Sequence, residues 1–488
     1  MAQRYRERED KYDVDPDWLF PDLAPALPAG VRLERRTIRL SSRYYDTAGL
    51  ALLAQRITLR FRTGEADAGW QLKLPDGKAR TELRLPEAGE ASIPMEFQQL
   101  LLGVRSGAEL APVAKIDTER SLVRILDPGG SLLAEIADDQ VEAAALGDSV
   151  TLSRWREIEV ELGAGDEALL SALGRRLRKA GASVARGPSK LARALDQPSG
   201  PPVPPRATGP TVGEAVRSYL DAQYAALVAG DLSLRQGESA IHRTRVAARR
   251  YRSVLRVFAD LFDADAASQL DRELAWYAGL LGEIRDRQVL REHFADAVRA
   301  VPERLLLGPV AGTIDQQLLR EELAAQRQLT ATMAGARYLA LLAQLADWQR
   351  QPPTVASAHR PAANLAGYLD SAERKLARRL RAVAAAGAAD EDLHRARKAA
   401  KRARYTAELA APAVGKPARR SVRRARKLQD VLGEHQDSVL AGELLLRLGA
   451  AAGSRPGENG FSYGILHATE TARGEVSRRR AAKLGRKA

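Results

Sequence analysis

The sequence predicts a multidomain α+β protein in which a closed antiparallel β-tunnel of eight strands with flanking helices precedes an all-α domain of two repeated four-helix bundles. Three observations favour this architecture. Period-two patterns run through the first part of the chain, a Pro-rich stretch follows them, and the Ala-, Leu- and Arg-rich remainder contains an internal repeat. With 488 residues, 45% of them hydrophobic, the chain is long enough to bury more than one core.

The first predicted domain, residues 1–196, contains eight strand segments. They lie near residues 4–14, 32–46, 55–63, 69–75, 79–86, 115–126, 131–143 and 149–163. Turn signals such as Asp76-Gly77 separate several of them, and eight strands are enough to close a barrel. A helix over about 166–181 is predicted next, because four leucines have helical spacing and Gly181 is a stop signal. These leucines are Leu169, Leu170, Leu173 and Leu177.

Two acidic strands, at the start and the end of the predicted sheet, carry their charges on one face because successive side chains alternate. The charged residues are Glu7, Glu9 and Lys11 in the first strand and Glu157, Glu159 and Glu161 in the second. In the second strand the opposite face is apolar and must be covered. Buried carboxylates are costly unless cations meet them. We therefore expect the charged face to line the inside of the closed sheet.

Basic residues on the neighbouring strands indicate that an anion binds in the same interior. They are Arg60, Arg62, Lys73, Arg84, Arg120 and Arg124, with Lys190 after the helix. These cations would neutralise a triphosphate, whereas the carboxylates would repel it unless Mg²⁺ or Mn²⁺, which prefer oxygen ligands, lies between. Such a metal would polarise the terminal phosphoryl group and position or activate a water for in-line attack. Ordinary surface charge on a β-domain is the alternative interpretation.

The stretch 197–209 is predicted to be a stiff Pro-rich linker, and the helical domain, residues 210–488, contains the repeat. Ile241–Arg252 matches Leu393–Arg404, and further on Leu281–Asp286 matches Leu432–Asp437. The two pairs of matching segments are separated by nearly the same number of residues, which makes a chance match implausible. We interpret the repeat as two facing bundles of four helices, over about 210–350 and 361–488.

In each repeat a histidine begins a basic stripe on one helical face. The stripes are His242, Arg245, Arg249, Arg252 and Arg256 in the first repeat, and His394, Arg397, Lys401 and Arg404 in the second. The second stripe stops at Glu408, which takes the fifth place. Because like charges on one face repel, the stripes indicate a bound anion or carboxylates from neighbouring helices. A solvated face, or pairing with Asp286 and Asp437, is the alternative.

The net charge of +14 is unevenly distributed. Residues 211–488 contain 46 Lys and Arg against 31 Asp and Glu, which leaves 30 and 31 in the first 210 residues. This asymmetry indicates a polyanion-binding part, for which nucleic acid, an anionic membrane surface and a phosphate polymer all fit. No recognition helix or zinc spacing is present in the sequence, and aromatic residues are only 5% of the chain. A phosphate polymer is therefore favoured over nucleic acid.

The composition also bounds the compartment. Without cysteine, neither disulfides nor thiolate metal sites are possible. The N-terminus is crowded with charge rather than apolar, unlike a secretory signal. No uninterrupted apolar run reaches the ~18 residues of a membrane span. We expect a soluble cytoplasmic protein, associated with polyphosphate granules if it binds that polymer.

The ordered motifs of residues 1 to about 196 resemble the CYTH domain, a triphosphate tunnel fold. They are Glu7-x-Glu9-x-Lys11, Tyr44-Tyr45-Asp46-Thr47, Leu59-Arg60-Phe61-Arg62, Trp70-Gln71-Leu72-Lys73-Leu74 and Glu157-Ile158-Glu159. The repeat from about residue 210 resembles the CHAD domain, a helical module named for its histidines and associated with inorganic polyphosphate. His242 and His394, with their arginines, match its motifs.

The resemblance implies roles for individual residues. Metal binding is implied for Glu7, Glu9, Glu157 and Glu159, with Glu161 as a further candidate, and catalytic roles for Lys11 and Glu159. Phosphate contacts are implied for Lys11, Arg60, Arg62, Lys73 and Lys190, with Arg84, Arg120 and Arg124 as further candidates. Polyphosphate binding is implied for His242, Arg245, Arg249, Arg252, His394, Arg397, Lys401 and Arg404.

We therefore expect a Mg²⁺- or Mn²⁺-dependent hydrolase that converts inorganic tripolyphosphate to pyrophosphate and phosphate, with long-chain polyphosphate bound by the helical domain. A non-catalytic polyphosphate-binding scaffold is one alternative. A tunnel enzyme that acts on thiamine triphosphate, or on ATP in the manner of an adenylate cyclase, is another. The small number of aromatic residues available to stack a base disfavours a nucleotide ring.

Overall fold

The computed structural model describes residues 2–64, 67–76, 79–85, 89–147, 149–185, 187, 189–196, 211–385, 388–454 and 459–486. The chain forms two compact units, Met1–Val203 and Pro204–Ala488. The predicted linker at 197–209 lies outside the described residues.

The N-terminal unit is built on an antiparallel sheet. Its described strands are β1 (Gln3–Glu7), β2 (Glu9–Val14), β3 (Arg32–Asp46), β4 (Thr58–Gly64), β5 (Gly69–Asp76), β6 (Ala79–Leu85), β7 (Ala111–Leu126), β8 (Leu132–Ala145), β9 (Thr151–Leu162) and β10 (Ser183–Val184). They are hydrogen-bonded in the order β1-β6-β5-β4-β3-β7-β8-β9-β2-β10.

This pairing differs from the predicted closed sheet of eight strands, although each predicted segment does contain strand. The N-terminal segment changes partner at Arg8, so that β1 pairs with β6 while β2 pairs with β9. One predicted strand is therefore two, and the two-residue β10 on β2 adds another. The hydrogen-bonded order ends at β1 and β10 and does not close.

Four helices of the N-terminal unit are described: α1 (Ala51–Ala54), α2 (Met95–Leu100), α3 (Glu167–Lys179) and α4 (Lys190–Ala194). The carboxylate of Asp166 caps α3 by accepting from the Leu169 amide, and Gly181 follows with φ of +101°. The predicted leucines are all buried in one core with Ile158 and Val160 of β9. Helix α3 thus covers the apolar face of β9, which had been expected to be covered. The glutamates of β9 lie on the opposite face.

The C-terminal unit is helical. The described helices are α5 (Val212–Arg235), α6 (Ile241–Val257), α7 (Ala264–Arg299), α8 (Val310–Met333), α9 (Ala336–Arg350), α10 (Leu365–Ala384), α11 (Asp390–Val414), α12 (Lys416–Ala452) and α13 (Phe461–Gly485). The first repeat contains five of them rather than four, because the extended backbone at Gly335 separates α8 from α9.

Helices of the two repeats pack against each other within this unit. The central contact joins α6 to α11, the helices that carry the basic stripes. A shared core joins α7 and α8 to α12 and α13, with Phe294 and Ile314 on one side and Leu444 and Tyr463 on the other. Among the helices of the described ranges, none is long and apolar enough to cross a membrane.

Candidate functional sites

Three carboxylates meet on the charged face of the sheet. Asp139 of β8 lies opposite Glu157 of β9 in the register, and carboxylate oxygens of Asp139, Glu157 and Glu159 lie within 4.8 Å of one another. The Asp139 side chain is 0% exposed. The Lys190 ammonium, at the start of α4, lies 2.8, 2.7 and 2.8 Å from oxygens of Asp139, Glu157 and Glu159.

Arg120 of β7 makes a second cationic contact with this acidic group. Its Nε and Nη2 atoms each donate to the Asp139 carboxylate at 2.7 Å, and Nη2 also donates to Glu159 at 2.8 Å. Burial opposes ionisation of Glu159, but Lys11, Lys190 and Arg120 outweigh it and hold its pKa well below the ordinary value. The pKa of Asp139 is lowered for the same reason. Both side chains are therefore anionic at neutral pH.

Lys11 of β2 connects the N-terminal motif to the same group. The register places Lys11 opposite Glu159 and Glu9 opposite Glu161. The Lys11 ammonium contacts the Glu159 carboxylate and lies 3.2 Å from an oxygen of Glu9. Burial opposes ionisation of Glu9, but Lys11 and Lys73 outweigh it, so the pKa of Glu9 is lowered.

A second charged group surrounds Glu7 on β1. The Lys73 ammonium donates to its Oε2 atom at 2.6 Å. Burial and a hydrogen bond with Glu82 raise the pKa of Glu7 to about 8. The Glu82 side chain is fully buried and pairs with Arg84 at 2.6 Å. Burial opposes its ionisation, but Lys73, the hydrogen bond with Glu7, Arg60 and Arg84 together hold its pKa well below the ordinary value. Glu7 and Glu82 thus resemble two carboxyl groups that share one proton.

The two arginines of β4 have fewer anionic partners. Arg60 donates to Gln71 at 2.7 Å and to the Tyr44 hydroxyl at 2.9 Å. Arg62 donates to the Ser42 hydroxyl at 3.2 Å and, within the described part of the chain, has no carboxylate within 4 Å. Burial, Arg60 and Arg120 lower the pKa of Arg62 to about 9. A buried guanidinium without a carboxylate is a ready anion contact.

Two predicted residues lie outside these groups. Arg124 is 42% exposed and contacts Glu34 at 3.3 Å and Glu135 at 3.7 Å. Glu161 faces Glu9 in the register but is not in the acidic group, and burial raises its pKa.

Sequence reasoning missed Asp139 and did not assign Glu82. Asp139 is the second residue of an Asp-Asp pair in β8. The alternation of side chains puts only one member of such a pair on the inner face. The pair therefore signals one inward aspartate, but only the register with β7 and β9 shows that it is Asp139.

A basic cavity of about 450 Å³ lies in the helical unit between α6, α7 and α11. Its polar lining residues are Arg245, Arg249, Arg252, Ser253, Arg256, His394, Arg397, Lys398, Lys401, Arg402 and Tyr405. The two predicted stripes therefore face one another across a common space.

Carboxylates balance only part of the charge in this cavity. Arg252 and Arg256 share Asp271, at 3.0 and 2.7 Å, and Arg245 lies 3.4 Å from Asp286. In the described ranges, Arg249, Arg397 and Lys401 form no ion pair, so each has no carboxylate within 4 Å. Burial and the adjacent arginines lower the pKa of Lys401 to about 6.

The stripes do not enter the cavity completely. His242 and Arg404 are not among its lining residues, and Arg404 instead pairs with Glu408 at 2.8 Å. His394 lines it, with Nδ1 2.9 Å from the Gln436 side chain. Sequence reasoning did not assign Lys398, Arg402 and Tyr405. These form a neighbouring stripe at i, i+4 and i+7 on α11.

Two protein-family models match this chain, one in each unit. A family model of the CYTH domain matches residues 7–195, and one of the CHAD domain matches residues 218–446. The uncharacterized proteins Rv2226 and MT2285, from two strains of Mycobacterium tuberculosis, are each 33% identical over 496 residues, covering 96% of this chain and 93% of the relative.

Part of this chain is similar to two solved structures. PptA from Streptomyces chartreusis is 22% identical, covers 57% of this chain and 100% of its own, and has a TM-score of 0.49. The CHAD domain from the plant Ricinus communis is 20% identical, with coverage of 57% and 93% and a TM-score of 0.44.

The charged sheet and the basic helical repeat are thus those of a CYTH domain and a CHAD domain. The chain belongs to the family in which an N-terminal CYTH domain is followed by a C-terminal CHAD domain, as the sequence motifs predicted.

Proposed function

We propose that the N-terminal unit hydrolyses inorganic tripolyphosphate to pyrophosphate and phosphate with a divalent cation, and that the helical unit binds polyphosphate. One observation carries the proposal. The buried guanidinium of Arg62 has no carboxylate within 4 Å among the described residues, and the nearby charge of Arg120 helps to lower its pKa. Arg120 in turn donates to Asp139 and Glu159 of the acidic group. Anion and cation subsites therefore adjoin. CYTH proteins act on triphosphates, which supports this reading.

We further propose that the sheet encloses this site as a tunnel. The segment from Gln3 to Val14 pairs with β6 through its first half and with β9 through its second. Its side chains follow the same division: Glu7 contacts Lys73 and Lys11 contacts Glu159. One continuous segment thereby joins β1, at one end of the hydrogen-bonded order, to β2, which is next to the other end. Such enclosure would exclude water from the charged groups and strengthen their interactions.

The acidic group fits a hard divalent cation. Asp139, Glu157 and Glu159 offer only carboxylate oxygens, which suit Mg²⁺ or Mn²⁺. The buried Glu157 Oε1 atom accepts no hydrogen bond, although the Lys190 ammonium lies near it. These three residues would hold the cation. Glu9 is connected to them by Lys11, whose ammonium contacts both Glu9 and Glu159. When bound, the cation would polarise the terminal phosphoryl group.

The remaining residues bind and orient the substrate in this proposal. Arg60 and Arg62 hold phosphate oxygens with guanidinium donors aligned on one strand face. Lys11 is fixed by Glu9 and Glu159, so that its ammonium points at the phosphate nearest the acidic group. Lys73 completes the cationic lining near Glu7. No nucleophilic side chain is required, since water attacks in line.

Phosphate release from tripolyphosphate tests the proposal, with Mg²⁺, with Mn²⁺ and with a chelator. Release should require metal and should fall at least about a hundredfold in Glu159→Gln, as is usual when electrostatic catalytic groups are removed. Asp138→Asn is the matched control, because Asp138 is on the opposite face of β8 and pairs with Arg156. Metal-independent release, or equal rates in Glu159→Gln and the control, would refute the enzyme assignment.

Polyphosphate binding is tested separately by calorimetry on the whole protein in a chelating buffer. Replacing Arg249 and Arg397 with Gln removes two cavity cations that lack carboxylate partners, and should weaken binding of long-chain polyphosphate by about tenfold or more. Replacing the exposed Arg419 and Arg420 of α12 with Gln should leave the affinity unchanged. Equal affinities for both double variants would contradict the assignment.

A non-catalytic scaffold is the second candidate, and one observation favours it. The three carboxylates of the acidic group are already in contact with cations of the chain, Lys190 and Arg120. A tunnel of that kind can capture polyphosphate ends without metal. Tripolyphosphate binding without turnover identifies the scaffold, and a substrate panel that includes ATP and thiamine triphosphate identifies the other tunnel activities.

A further inference from the structure

A second pocket adjoins the basic cavity of the helical unit. It has a volume of about 170 Å³ and lies between α6, α10 and α11. Its lining residues include Tyr368, Ser371 and Lys375 of α10. Arg256 and Arg402 line both spaces, so they form the junction between them.

The junction carries an excess of positive charge. Arg252 and Arg256 share the single carboxylate of Asp271. Arg402 has no ion-pair partner among the described residues, and burial together with Arg256 and Arg252 lowers its pKa. Beyond the junction, Lys375 is exposed on α10 and likewise lacks a described ion-pair partner. A row of cations thus leads from Lys401 through Arg402 to Lys375.

An acidic residue is also near the second pocket, but other groups neutralise it. The Tyr368 hydroxyl donates to the Asp260 carboxylate at 2.6 Å. Arg360 pairs with the same carboxylate at 3.0 Å. Asp260 is therefore satisfied, and the Tyr368 ring forms a wall of the pocket.

The equivalent end of the second repeat carries a carboxylate in place of a cation. Glu408 of α11 stands at the repeat position of Arg256, as the offset between His242 and His394 indicates. Its carboxylate pairs with Arg250 at 3.0 Å and with Arg404 at 2.8 Å. The Tyr219 hydroxyl lies 3.4 Å from it. At this end Arg250 and Arg404 are already paired with a carboxylate, whereas Arg402 at the other end has no ion-pair partner among the described residues.

We propose that a polyphosphate chain bound in the main cavity leaves it in one direction only, past Arg256 and Arg402 into the pocket of Tyr368 and Lys375. The second pocket is then an extension subsite that selects chains longer than the main cavity holds. A linear polyanion with a charge on every unit fits a row of cations, whereas a compact anion would occupy the main cavity alone. This inference rests on the proposed polyphosphate binding by the helical unit.

Calorimetry on the full chain, in chelating buffer, tests the subsite with two probes, long-chain polyphosphate and tripolyphosphate. Lys375→Ala should weaken long-chain binding by about fivefold and reduce its salt dependence by about one phosphate contact. Tripolyphosphate binding should be unchanged. Arg374→Ala is the matched control, because Arg374 is the exposed neighbour on α10 and does not line either space.

The role of Glu408 is tested by Glu408→Gln, which leaves Arg250 and Arg404 without their shared carboxylate. Long-chain affinity should rise several-fold in this variant, since both ends then attract the chain. Unchanged affinity in Glu408→Gln, or equal effects of Lys375→Ala and Arg374→Ala, would overturn the one-way path while leaving polyphosphate binding intact. A wild-type protein that does not bind long-chain polyphosphate would overturn the binding function of the helical unit and the path together, whatever its affinity for tripolyphosphate, which the N-terminal unit also binds in the proposed function.

Discussion

Lys401 faces cations from two helices of the basic cavity. Arg245 and Arg249 of α6 and Arg397 of its own helix act with burial to lower its pKa to about 6, and Asp437 of α12 opposes them only partly. Lys401 is therefore mostly neutral at pH 7 in the free protein. Because the folded protein holds this proton less tightly than the unfolded chain, the group costs stability below its unfolded pKa of about 10.4, most fully as pH falls to 6.

Binding of polyphosphate should reverse this shift, since an anion favours the ammonium form. We predict that the protein takes up a proton when it binds at pH 7–8, and that affinity falls as pH rises from 6 toward the pKa of the bound state. Calorimetry in buffers of different ionisation enthalpy measures the uptake. Lys401→Gln supplies the reference, because subtracting its uptake removes titration of the ligand itself. Equal uptake by both proteins would contradict the prediction.

Asp139 is the shared partner of Arg120 and Lys190. Removing one member of a buried ion pair leaves the other charge uncompensated, so Asp139→Asn should destabilise the N-terminal unit by about 3 kcal/mol and abolish metal-dependent turnover. Because cations lower the pKa of Asp139, its contribution is present above the ordinary value and is lost as pH falls through the folded value. Urea unfolding at pH 7 and at low pH measures the loss of stability and its pH dependence, and phosphate release measures turnover.

Asp138→Asn provides the comparison for that variant. Asp138 also pairs with an arginine, Arg156 at 2.7 Å, but on the other face of β8. The Asp138→Asn variant should be less stable than the wild-type protein but should keep its rate of turnover. If Asp138→Asn were as inactive as Asp139→Asn, the acidic group would not be the site of the chemistry.

The faces of these residues could be predicted, whereas their partners could not. Strand alternation places Glu157 and Glu159 on one side whatever the rest of the fold does. Contact between Lys190 and the same glutamates depends on where the short helix α4 begins, at a capping Ser189, and no periodic pattern reports that. Asp139 was missed for a similar reason, because its significance comes from the register of β8 with β7 and β9.

At the scale of elements, helix α3 approaches β2 unusually closely at Gly174. A Cβ atom at this position would lie 2.2 Å from the Tyr12 hydroxyl oxygen. Alanine normally stabilises a helix interior relative to glycine, by about 1 kcal/mol. Here we predict that Gly174→Ala destabilises the N-terminal unit by about 1–3 kcal/mol through overpacking. Urea unfolding measures the change.

Two further variants distinguish overpacking from other causes. Ser171→Ala, at an exposed position of the same helix, should change stability by less than about 0.5 kcal/mol. Adding Tyr12→Phe to Gly174→Ala removes the clashing oxygen, after which the nearest ring atom lies 3.3 Å from the new Cβ. Part of the lost stability should return. No recovery would place the cause outside this contact.

Most elements followed from periodicity, and the exceptions have local causes. The leucines of α3 fixed both its existence and its buried face. The change of partner at Arg8 had no signal, because Gln3–Glu7 and Glu9–Val14 have the pattern of one strand. The extra helix of the first repeat depends on a single residue, Gly335, within a sequence that is otherwise helical.

At the scale of the molecule, the excess positive charge lies in the helical unit and should make polyphosphate binding depend on salt. With about four or five unpaired cations in the cavity, counterion release predicts that log K falls with log salt at a slope of about −3. Binding of a labelled polyphosphate, followed by fluorescence anisotropy over a salt series, measures this slope. Arg249→Gln should make it shallower by about 0.7. A slope near zero would exclude phosphate contacts as the source of affinity.

The order of synthesis has a consequence for the N-terminal unit. Residues Gln3–Val14 are synthesised before their partners in β6 and β9, and Lys190 is synthesised after all of these strands. Contacts of such high sequence separation form slowly. A nascent chain must therefore keep Gln3–Val14 without its full set of strand partners until β9 has emerged. During that interval the open edges of the sheet can pair with other chains. We therefore expect chaperones to bind the N-terminal unit while it is incomplete.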